Sequence, residues 1–242
     1  MHDERHSENC MICGSTLNYQ TYAVDMTCDY CGEILSASVF CPNGHYVCED
    51  CHGAGYYSFL EKIVNETTSK NPMEIAETLL KGNLLPSLGG EHHAIVTTSL
   101  LVAAKNYGEI PIGYGAVRSV TNQDIAEGIR RMKQIPSCTC AYHGACGAGL
   151  GVGAFFSILF GATCAKDTER TLSMRATNAA LAAIANTGGP GCCKQSVRTA
   201  VLVGVEMLKE ICHVKLPISY ERCFHMKDTS HGCKGVYCQF SR

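Results

Sequence analysis

The sequence predicts a mainly α-helical protein: a helical bundle-like domain with buried Ala/Gly-rich helices, preceded by a small β-hairpin module that binds zinc. Three observations predict this fold. Seven cysteines lie before residue 52 and ten after residue 137, with none between, which indicates separate modules. Apolar residues recur at helical spacing through much of the chain. The hydrophobic content of 46% is sufficient for a core.

The cysteine distribution divides the chain into three regions. We expect a zinc-binding module with two zinc sites over residues 1–53, a helical domain over 54–212, and a Cys/His-rich tail over 213–242 that packs on the helical domain. A net charge of −2 and a pI near 6.5 do not indicate a nucleic-acid partner or an acidic membrane. The N-terminus lacks the apolar segment of a signal peptide, so we expect a cytoplasmic protein with metal-binding or catalytic cysteines.

Residues 144–165 are free of charge for longer than the roughly 18 residues that a membrane span needs. This segment is rich in glycine, contains Cys146 and stands alone. We therefore interpret it as a buried core helix and expect no membrane association. The 17 cysteines also suit a protein of an anaerobe.

Two Cys-x-x-Cys-Gly motifs predict zinc knuckles, one at Cys10 and Cys13 and the other at Cys28 and Cys31. In each knuckle the turn directs two thiolates at one point, and the glycine takes a positive φ. The 14 residues between them contain strand-like positions. Two knuckles on one hairpin complete a tetrahedral shell at nearly the spacing of a zinc ribbon.

A third motif contains Cys41, His45, Cys48 and Cys51 and resembles part of a RING-type or treble-clef finger. In a RING-like cross-brace, the first knuckle binds one ion together with Cys41 and His45. The second knuckle then binds the other ion together with Cys48 and Cys51. In a sequential arrangement, the two knuckles share one ion and the third motif binds the other. Both provide eight ligands for two zinc ions and leave His52 spare. A RING finger implies ubiquitin transfer, but nothing else in the chain is typical of a ligase.

Helices are predicted from apolar spacing and end signals. Asn71 and Pro72 begin a short amphipathic helix that Gly82 ends. Residues 108–120, with Pro111 and several glycines, predict a loop. Further helices are expected over about 56–64, 91–105, 121–135, 141–160, 174–185 and 197–212.

The helix expected to begin near residue 91 follows a Leu-Gly-Gly turn. This turn directs Glu91, His92 and His93 at whatever lies above the N-terminus of the helix. We interpret the three residues as candidates for substrate binding or proton transfer.

Two glycine-rich turns with cysteines, at about 138–149 and 186–196, each lead into a helix of small apolar residues. Small residues let backbones approach closely, and a helix N-terminus presents free N–H groups and positive potential. These conditions suit the thiolate ligands of an anionic iron–sulfur cluster. The candidate ligands are Cys138, Cys140, Cys146, Cys192 and Cys193, and the side chains expected to act beside them are His143, Lys194, Ser196 and Arg198.

The tail contains a third pattern that is typical of metal ligands. Its cysteines and histidines lie within 16 residues, which suggests a further zinc or cluster ligand set. These residues are Cys223, His225, His231, Cys233 and Cys238.

Three segments together resemble the iron–sulfur L-serine dehydratase and L-cysteine desulfidase family, over about residues 85–210. Residues 88–93 lie where this family has a Leu-Gly-Cys-Thr-Glu-Pro turn. Residues 146–161 resemble its small-residue helix, which a ligand cysteine opens, and residues 186–192 resemble its Pro-Gly-Cys turn. The resemblance implies an all-helical cytosolic lyase with an oxygen-sensitive [4Fe–4S] cluster.

Two departures from the family pattern bear on the chemistry. The early cysteine tied to catalysis in the desulfidases is Gly90 here, and a ligand before the Pro-Gly-Cys turn is missing. Cys193, Cys138 or Cys140 stands in for that ligand, beside Cys146 and Cys192. The resemblance then implies a hydro-lyase or C–S lyase that acts on a small carboxylate substrate.

A non-lyase function remains open at this point. The same cysteines suit an electron-transfer cluster or a sulfur relay that serves a partner redox or sulfur enzyme through the zinc module, and a purely structural zinc protein is a third reading. The two-module organisation predicts that Cys146→Ser removes iron only and that Cys28→Ser removes zinc only. The whole chain also resembles uncharacterised anaerobe proteins assigned to a domain of unknown function, and a homodimer is an open option.

Overall fold

The computed structural model describes residues 8–82, 85–188, 191–219, 222–223 and 232–241. Over these residues the protein is mainly helical, with a two-stranded hairpin at its N-terminal end, which confirms the predicted fold class. Eight helices and two short hairpins are present in this part of the chain. None of these helices is long and apolar enough to cross a membrane.

The N-terminal hairpin is formed by β1 (Asn18–Thr27) and β2 (Ile34–Phe40), which pair antiparallel with an irregularity between Tyr19 and Val24. Helix α1 (Glu49–Glu66) follows and begins directly after Cys48, so it starts inside the third cysteine motif. The predicted boundary at residue 53 therefore falls within a continuous helix. α1 extends from the zinc-binding module into the helical region, and its residues Tyr56 and Leu60 are buried in the main core.

Helix α2 (Pro72–Leu80) begins as the sequence predicts, because the Asn71 side chain accepts hydrogen bonds from the N–H groups of Met73 and Glu74 at 3.0 and 3.3 Å. Helix α3 (Glu91–Tyr107) is the central element. It packs against α2, against three later helices and against α1, and its residues from 91 to 104 are buried.

The expected loop at 108–120 is wrong, because β3 (Glu109–Gly113) and β4 (Ala116–Ser119) form an antiparallel hairpin there. Its turn has positive φ at Gly113, Tyr114 and Gly115. Pro111 argues against a strand when the sequence is considered alone, since it cannot donate to a ladder. A two-stranded edge accommodates that missing donor.

Helix α4 (Asn122–Lys133) lies where the sequence predicts a helix and begins with a capping box, in which Thr121 and Asp124 are bonded reciprocally. A single turn, α5 (Thr139–Tyr142), then leads to α6 (Gly147–Phe160). α7 (Asp167–Thr187) and α8 (Cys193–Cys212) complete the bundle.

Glycines allow α6 to approach its neighbours closely. A Cβ atom at Gly153 would overlap Thr177 Oγ1 on α7, and one at Gly149 would lie 2.6 Å from a methyl group of Leu181. On the other side, Thr97 of α3 donates to the backbone oxygen of Gly151 at 2.8 Å. The prediction of deeply packed small-residue helices is thereby confirmed for α6.

The C-terminal segment lies against the bundle. Phe240 is 1% exposed, and its ring centroid is 5.9 Å from the guanidinium carbon of Arg198. Lys234 Nζ donates to the backbone oxygen of Thr187, at the end of α7. The described part of the tail therefore covers the region between α7 and α8.

Candidate metal centres

The first zinc-type site lies between the first knuckle and the turn after β2. Its four candidate ligand atoms all lie within 4.8 Å of one another. Cys13 Sγ is 3.5 Å from Cys41 Sγ, and Cys10 Sγ is 3.8 Å from His45 Nδ1. The candidate ligands are therefore Cys10, Cys13, Cys41 and His45.

The second zinc-type site joins the second knuckle to the N-terminus of α1. Its four candidate ligand atoms also lie within 4.8 Å of one another, and Cys31 Sγ is 3.8 Å from Cys48 Sγ. The candidate ligands are Cys28, Cys31, Cys48 and Cys51. The two sites thus follow the cross-brace arrangement, and the sequential alternative is wrong.

These distances fit a single tetrahedral ion in each site. Zn–S bonds of about 2.3 Å in tetrahedral geometry require sulfur atoms roughly 3.8 Å apart. Cys₃His and Cys₄ shells are both structural zinc types with no open position. Within the described residues, no other set of three or more potential ligands is as closely grouped.

Hydrogen bonds favour the thiolate of one cysteine in each shell, whereas the pKa values of Cys41, Cys31 and Cys51 are raised by burial or by neighbouring thiols. The pKa of Cys13 falls to about 5, mainly because Ser15 hydrogen-bonds to its sulfur, with Asn43 contributing. The pKa of Cys28 falls to about 6, mainly because the backbone N–H of Cys48 donates to its sulfur at 3.3 Å. Since metal ions bind the deprotonated thiol, both sites are prepared for a cation.

The two core thiol turns each place a cysteine at a helix N-terminus. Cys146 is the N-cap residue of α6, and Cys192 is the N-cap residue of α8, where its sulfur accepts from the N–H of Gln195 at 3.4 Å. This position is the one expected from the sequence. A helix N-terminus stabilises a thiolate through its free N–H groups and its dipole.

Three core thiols lie near one another, since in each of their three pairs the charge of one thiol affects the pKa of the other. Burial, together with the nearby charges of Cys146 and Cys140, raises the pKa of Cys193 to about 12. Burial also raises the pKa of Cys140, and Cys146 adds to the effect. We call Cys140, Cys146 and Cys193 the thiol triad. It draws on the segment before α6, on the N-cap of α6 and on the first residue of α8.

Further thiols extend from the triad in both directions. Cys138 interacts with Cys140, and Cys192 interacts with Cys193 on one side and with Cys223 of the tail on the other. The five predicted core cysteines are not close enough together to share a single ion. They form a row rather than one compact shell.

The histidine pair next to the triad is buried at the N-terminus of α3. His93 is 6% exposed, and its ring lies against Gly147, the first residue of α6. Its Nδ1 is 3.3 Å from the backbone oxygen of Ile135, and burial lowers its pKa. A neutral imidazole that donates from Nδ1 to that oxygen leaves Nε2 able to accept a proton. His92 is also buried, with Nδ1 3.3 Å from the backbone oxygen of Gly89.

Glu91 and His143 are engaged elsewhere. Glu91 is 5% exposed and its Oε1 lies 2.9 Å from His52 Nδ1, which raises the pKa of His52. His143 is exposed, and its ring contacts Thr139 Oγ1 at 3.2 Å. The structure thus places Glu91 beside the zinc-binding module and His143 at the surface.

Two cations and one hydroxyl follow the second thiol turn on α8. Lys194 is 5% exposed, and its ammonium has no hydrogen bond or ion pair within the described residues. Burial raises the pKa of Cys192, and the charge of Lys194 offsets part of that rise. Arg198 is 1% exposed but is bound by Glu77, so the expected carboxylate-binding role is not available to it. Ser196 is half-buried, and its N–H donates to the backbone oxygen of Cys192.

The predicted tail ligands do not come together within the described residues. Cys223 lies near Cys192, whereas the sulfur of Cys233 accepts only from the N–H of Gly235, at 3.3 Å. Cys238 is half-buried and directly follows a 3₁₀ turn, Gly235–Tyr237. His225 and His231 lie outside the described residues.

Sequence reasoning missed Glu49 and Ser137, which connect the zinc-binding module to the core. Glu49 Oε1 accepts from the N–H of Ser137 at 2.5 Å, and Ser137 Oγ accepts from the N–H of Gly90 at 2.8 Å. Neither residue belongs to a metal or catalytic motif. Only the position of Glu49 between two zinc ligands could have suggested a role.

Residues 60–241 match the model of DUF5714, a family of unknown function, and the chain belongs to this family. The match begins within α1, so all eight zinc-type ligands lie outside it. No curated protein and no solved structure matches the chain.

Proposed function

We propose that this DUF5714 protein binds two zinc ions in its N-terminal module and a [4Fe–4S] cluster on the thiol triad, and that it is a lyase for a small carboxylate substrate. The observation that supports the cluster is the thiol triad itself. Its three sulfurs interact pairwise although they come from residues 140, 146 and 193 of the chain. Their looser grouping, compared with the zinc-type shells, suits a cluster that is larger than one ion.

The triad also leaves a coordination position unfilled. Four-iron clusters are usually held by four thiolates, so a cluster held by Cys140, Cys146 and Cys193 would have one iron without a protein ligand and would supply Lewis-acid polarisation of a hydroxyl or thiol leaving group. The neighbouring side chains of this chain then determine which substrate binds and where its proton goes.

Lys194 is the residue we assign to the substrate carboxylate. The Lys194 residue is largely buried, and no ion pair neutralises its ammonium within the described residues, so an anionic ligand would gain from this charge. Lys194 also lies in the first turn of α8, where the helix dipole favours an anion. A bound carboxylate would therefore compensate the charge of Lys194.

His93 is the residue we assign to proton transfer. Its ring adjoins Gly147, next to the triad residue Cys146, and its lowered pKa keeps it neutral near pH 7. A neutral imidazole with a free Nε2 accepts a proton from the substrate carbon, as general bases do. Glu91 is less suitable because His52 already binds it.

Anaerobic purification followed by iron, sulfide and zinc analysis tests the cluster. We expect iron and sulfide in addition to two zinc ions, and loss of iron in Cys140→Ser, Cys146→Ser and Cys193→Ser. Cys164→Ser is the control, because Cys164 is exposed and outside the row of thiols. Zinc without iron in the anaerobic wild-type protein excludes the cluster and leaves a structural zinc protein.

Product formation tests the lyase assignment separately. The iron-loaded protein is incubated with hydroxy- and mercapto-amino acids, and released 2-oxo acid, ammonia and sulfide are measured. We expect Lys194→Met to raise KM strongly and His93→Gln to lower kcat. An iron-loaded protein that converts none of these substrates contradicts the lyase assignment but not the cluster.

The extension of the thiol row favours one alternative. Cys192 and Cys223 continue the row from the triad towards the tail. Such a row suits a sulfur or electron relay that serves a partner enzyme better than it suits a rigid lyase site. Under this alternative, Cys223→Ser abolishes transfer to the partner but leaves the iron content unchanged.

A further inference from the structure

The zinc-binding module contacts the segment of residues 137–142, which we call the thiol loop, at both of its ends. At the start, the N–H of Ser137 donates to Glu49 Oε1 at 2.5 Å. At the end, Tyr142 Oη donates to the backbone oxygen of Gln20, on β1, at 2.8 Å. Cys138 and Cys140 lie between these two contacts.

Both contacts originate from parts of the module that the second zinc-type site fixes. Glu49 lies between the ligands Cys48 and Cys51, so an ion bound by these two residues restricts its backbone. Gln20 is on the hairpin strand that leads to Cys28. A module this small has little core of its own, so its geometry depends on bound metal.

The N-terminal end of α1, which carries Glu49 and His52, also connects to the N-terminus of α3. Ser137 Oγ accepts from the N–H of Gly90 at 2.8 Å, so Glu49, Ser137 and Gly90 form one chain of hydrogen bonds. His52, the residue after the last ligand, bonds to Glu91 at 2.9 Å. The turn that precedes the buried histidines is therefore connected to the module through two separate links.

The thiol loop has little capacity to hold its own shape. Its helical turn, α5, is four residues long, and so short a helix is not stable alone. Cys138 has φ of 61°, a left-handed conformation that is unusual outside glycine and persists only where the surroundings impose it. The two contacts with the module supply that constraint.

We propose that the metal-loaded zinc module positions the thiol loop, with Glu49 and Tyr142 as positioning residues, so that the metal at the second zinc-type site controls the arrangement of the core thiols. The proposal does not depend on the lyase or the cluster, since it concerns the thiols themselves. It differs from the expectation that Cys28→Ser affects zinc alone.

Hydrogen exchange of the full-length, zinc-loaded protein tests the proposal, with Glu49→Ala compared with Asp50→Ala. Asp50 is adjacent, exposed and without a hydrogen bond in the described structure, so it is a matched control. We expect Glu49→Ala to retain two zinc ions but to exchange the amides of Ser137 and Gly90 about tenfold faster or more, as expected for losing a charged hydrogen bond. Asp50→Ala should exchange like the wild type.

Two further variants complete the test. Tyr142→Phe removes only the hydroxyl and should accelerate exchange over 139–142 and alkylation of Cys138, whereas Tyr237→Phe, at an exposed ring, should not. Cys28→Ser should lose zinc and accelerate exchange over the whole thiol loop, with α8 exchange as the reference for intact folding. The proposal is overturned if the thiol loop of Cys28→Ser exchanges at the wild-type rate. It is also overturned if the thiol loop exchanges at the wild-type rate in both single variants, Glu49→Ala and Tyr142→Phe.

Discussion

Arg198 of α8 and Glu77 of α2 form a two-bond ion pair in the interior, with Nε–Oε1 and Nη2–Oε2 distances of 2.5 and 2.8 Å. Arg198 is 1% exposed and Glu77 is 7% exposed. The two residues are 121 positions apart in the chain, and their ion pair joins α2 to α8. The Phe240 ring of the tail packs against the Arg198 guanidinium. It therefore serves the assembly of the bundle rather than the binding of a ligand.

Removing one partner of this pair should destabilise the protein strongly. Glu77→Ala leaves the Arg198 charge buried without a partner, which typically costs about 3–5 kcal/mol. We expect a corresponding fall in the free energy of unfolding, measured by denaturant titration under anaerobic, reducing conditions. The control is Glu206→Ala, whose exposed pair with Lys209 should contribute about 0–1 kcal/mol. Equal effects of the two substitutions contradict a buried structural pair.

Substitution of Gly147 should displace His93. A Cβ atom in Gly147→Ala would overlap the imidazole ring, and such overpacking usually costs about 1–3 kcal/mol. The matched control is Gly191→Ala on the second thiol turn, where an added Cβ meets no atom within 4 Å. We expect a lower melting temperature and a shifted His93 imidazole NMR signal for Gly147→Ala only. A similar loss of stability in both variants would falsify the close packing of His93 on α6.

The buried His93 should make stability depend on pH. Burial lowers its pKa in the folded state below the unfolded value of about 6.5. Between these two values the unfolded chain binds a proton that the folded chain does not, so stability falls as the pH decreases through this window. We expect the wild type to lose stability relative to His93→Gln between about pH 7.5 and 5.5. The measurement is the difference in unfolding free energy at each pH, and an unchanged difference contradicts a buried neutral His93.

Zinc content should distinguish the two histidines of the third cysteine motif. His45 is a candidate ligand of the first site, whereas His52 bonds to Glu91 and belongs to neither candidate ligand group. We expect His45→Ala to bind one zinc ion tightly and His52→Ala to bind two, as measured by zinc analysis after dialysis against a weak chelator. Loss of an ion in His52→Ala, with both ions kept in His45→Ala, would reverse the ligand assignment.

The elements that follow local rules could be predicted from the sequence. Asn71, Thr121 and the glycines of α6 each determine nearby structure through caps or close packing, and the structure has the corresponding helices. The zinc ligands were equally clear, because Cys-x-x-Cys turns are local motifs. Which motifs share an ion could not be predicted, since the cross-brace and the sequential arrangement use the same eight residues.

The parts that depend on distant contacts could not be predicted. Glu77 binds Arg198, which is 121 positions later in the chain, and Glu49 accepts a hydrogen bond from Ser137, which is 88 positions later. Neither pair has a spacing that a sequence could reveal. The hairpin at 109–119 was missed for a different reason. Pro111 and the glycines favoured a loop, although the Gly-Tyr-Gly segment is the turn that connects the two strands.

The interleaved ligand sets also determine how the N-terminal module is made on the ribosome. The first shell is complete only once residue 45 has emerged, and the second once residue 51 has emerged. A nascent chain therefore exposes five unpaired thiols before either ion can be enclosed, and then closes both sites within a few added residues. Metal loading should thus be nearly simultaneous during synthesis, and brief zinc starvation should leave both sites empty rather than one.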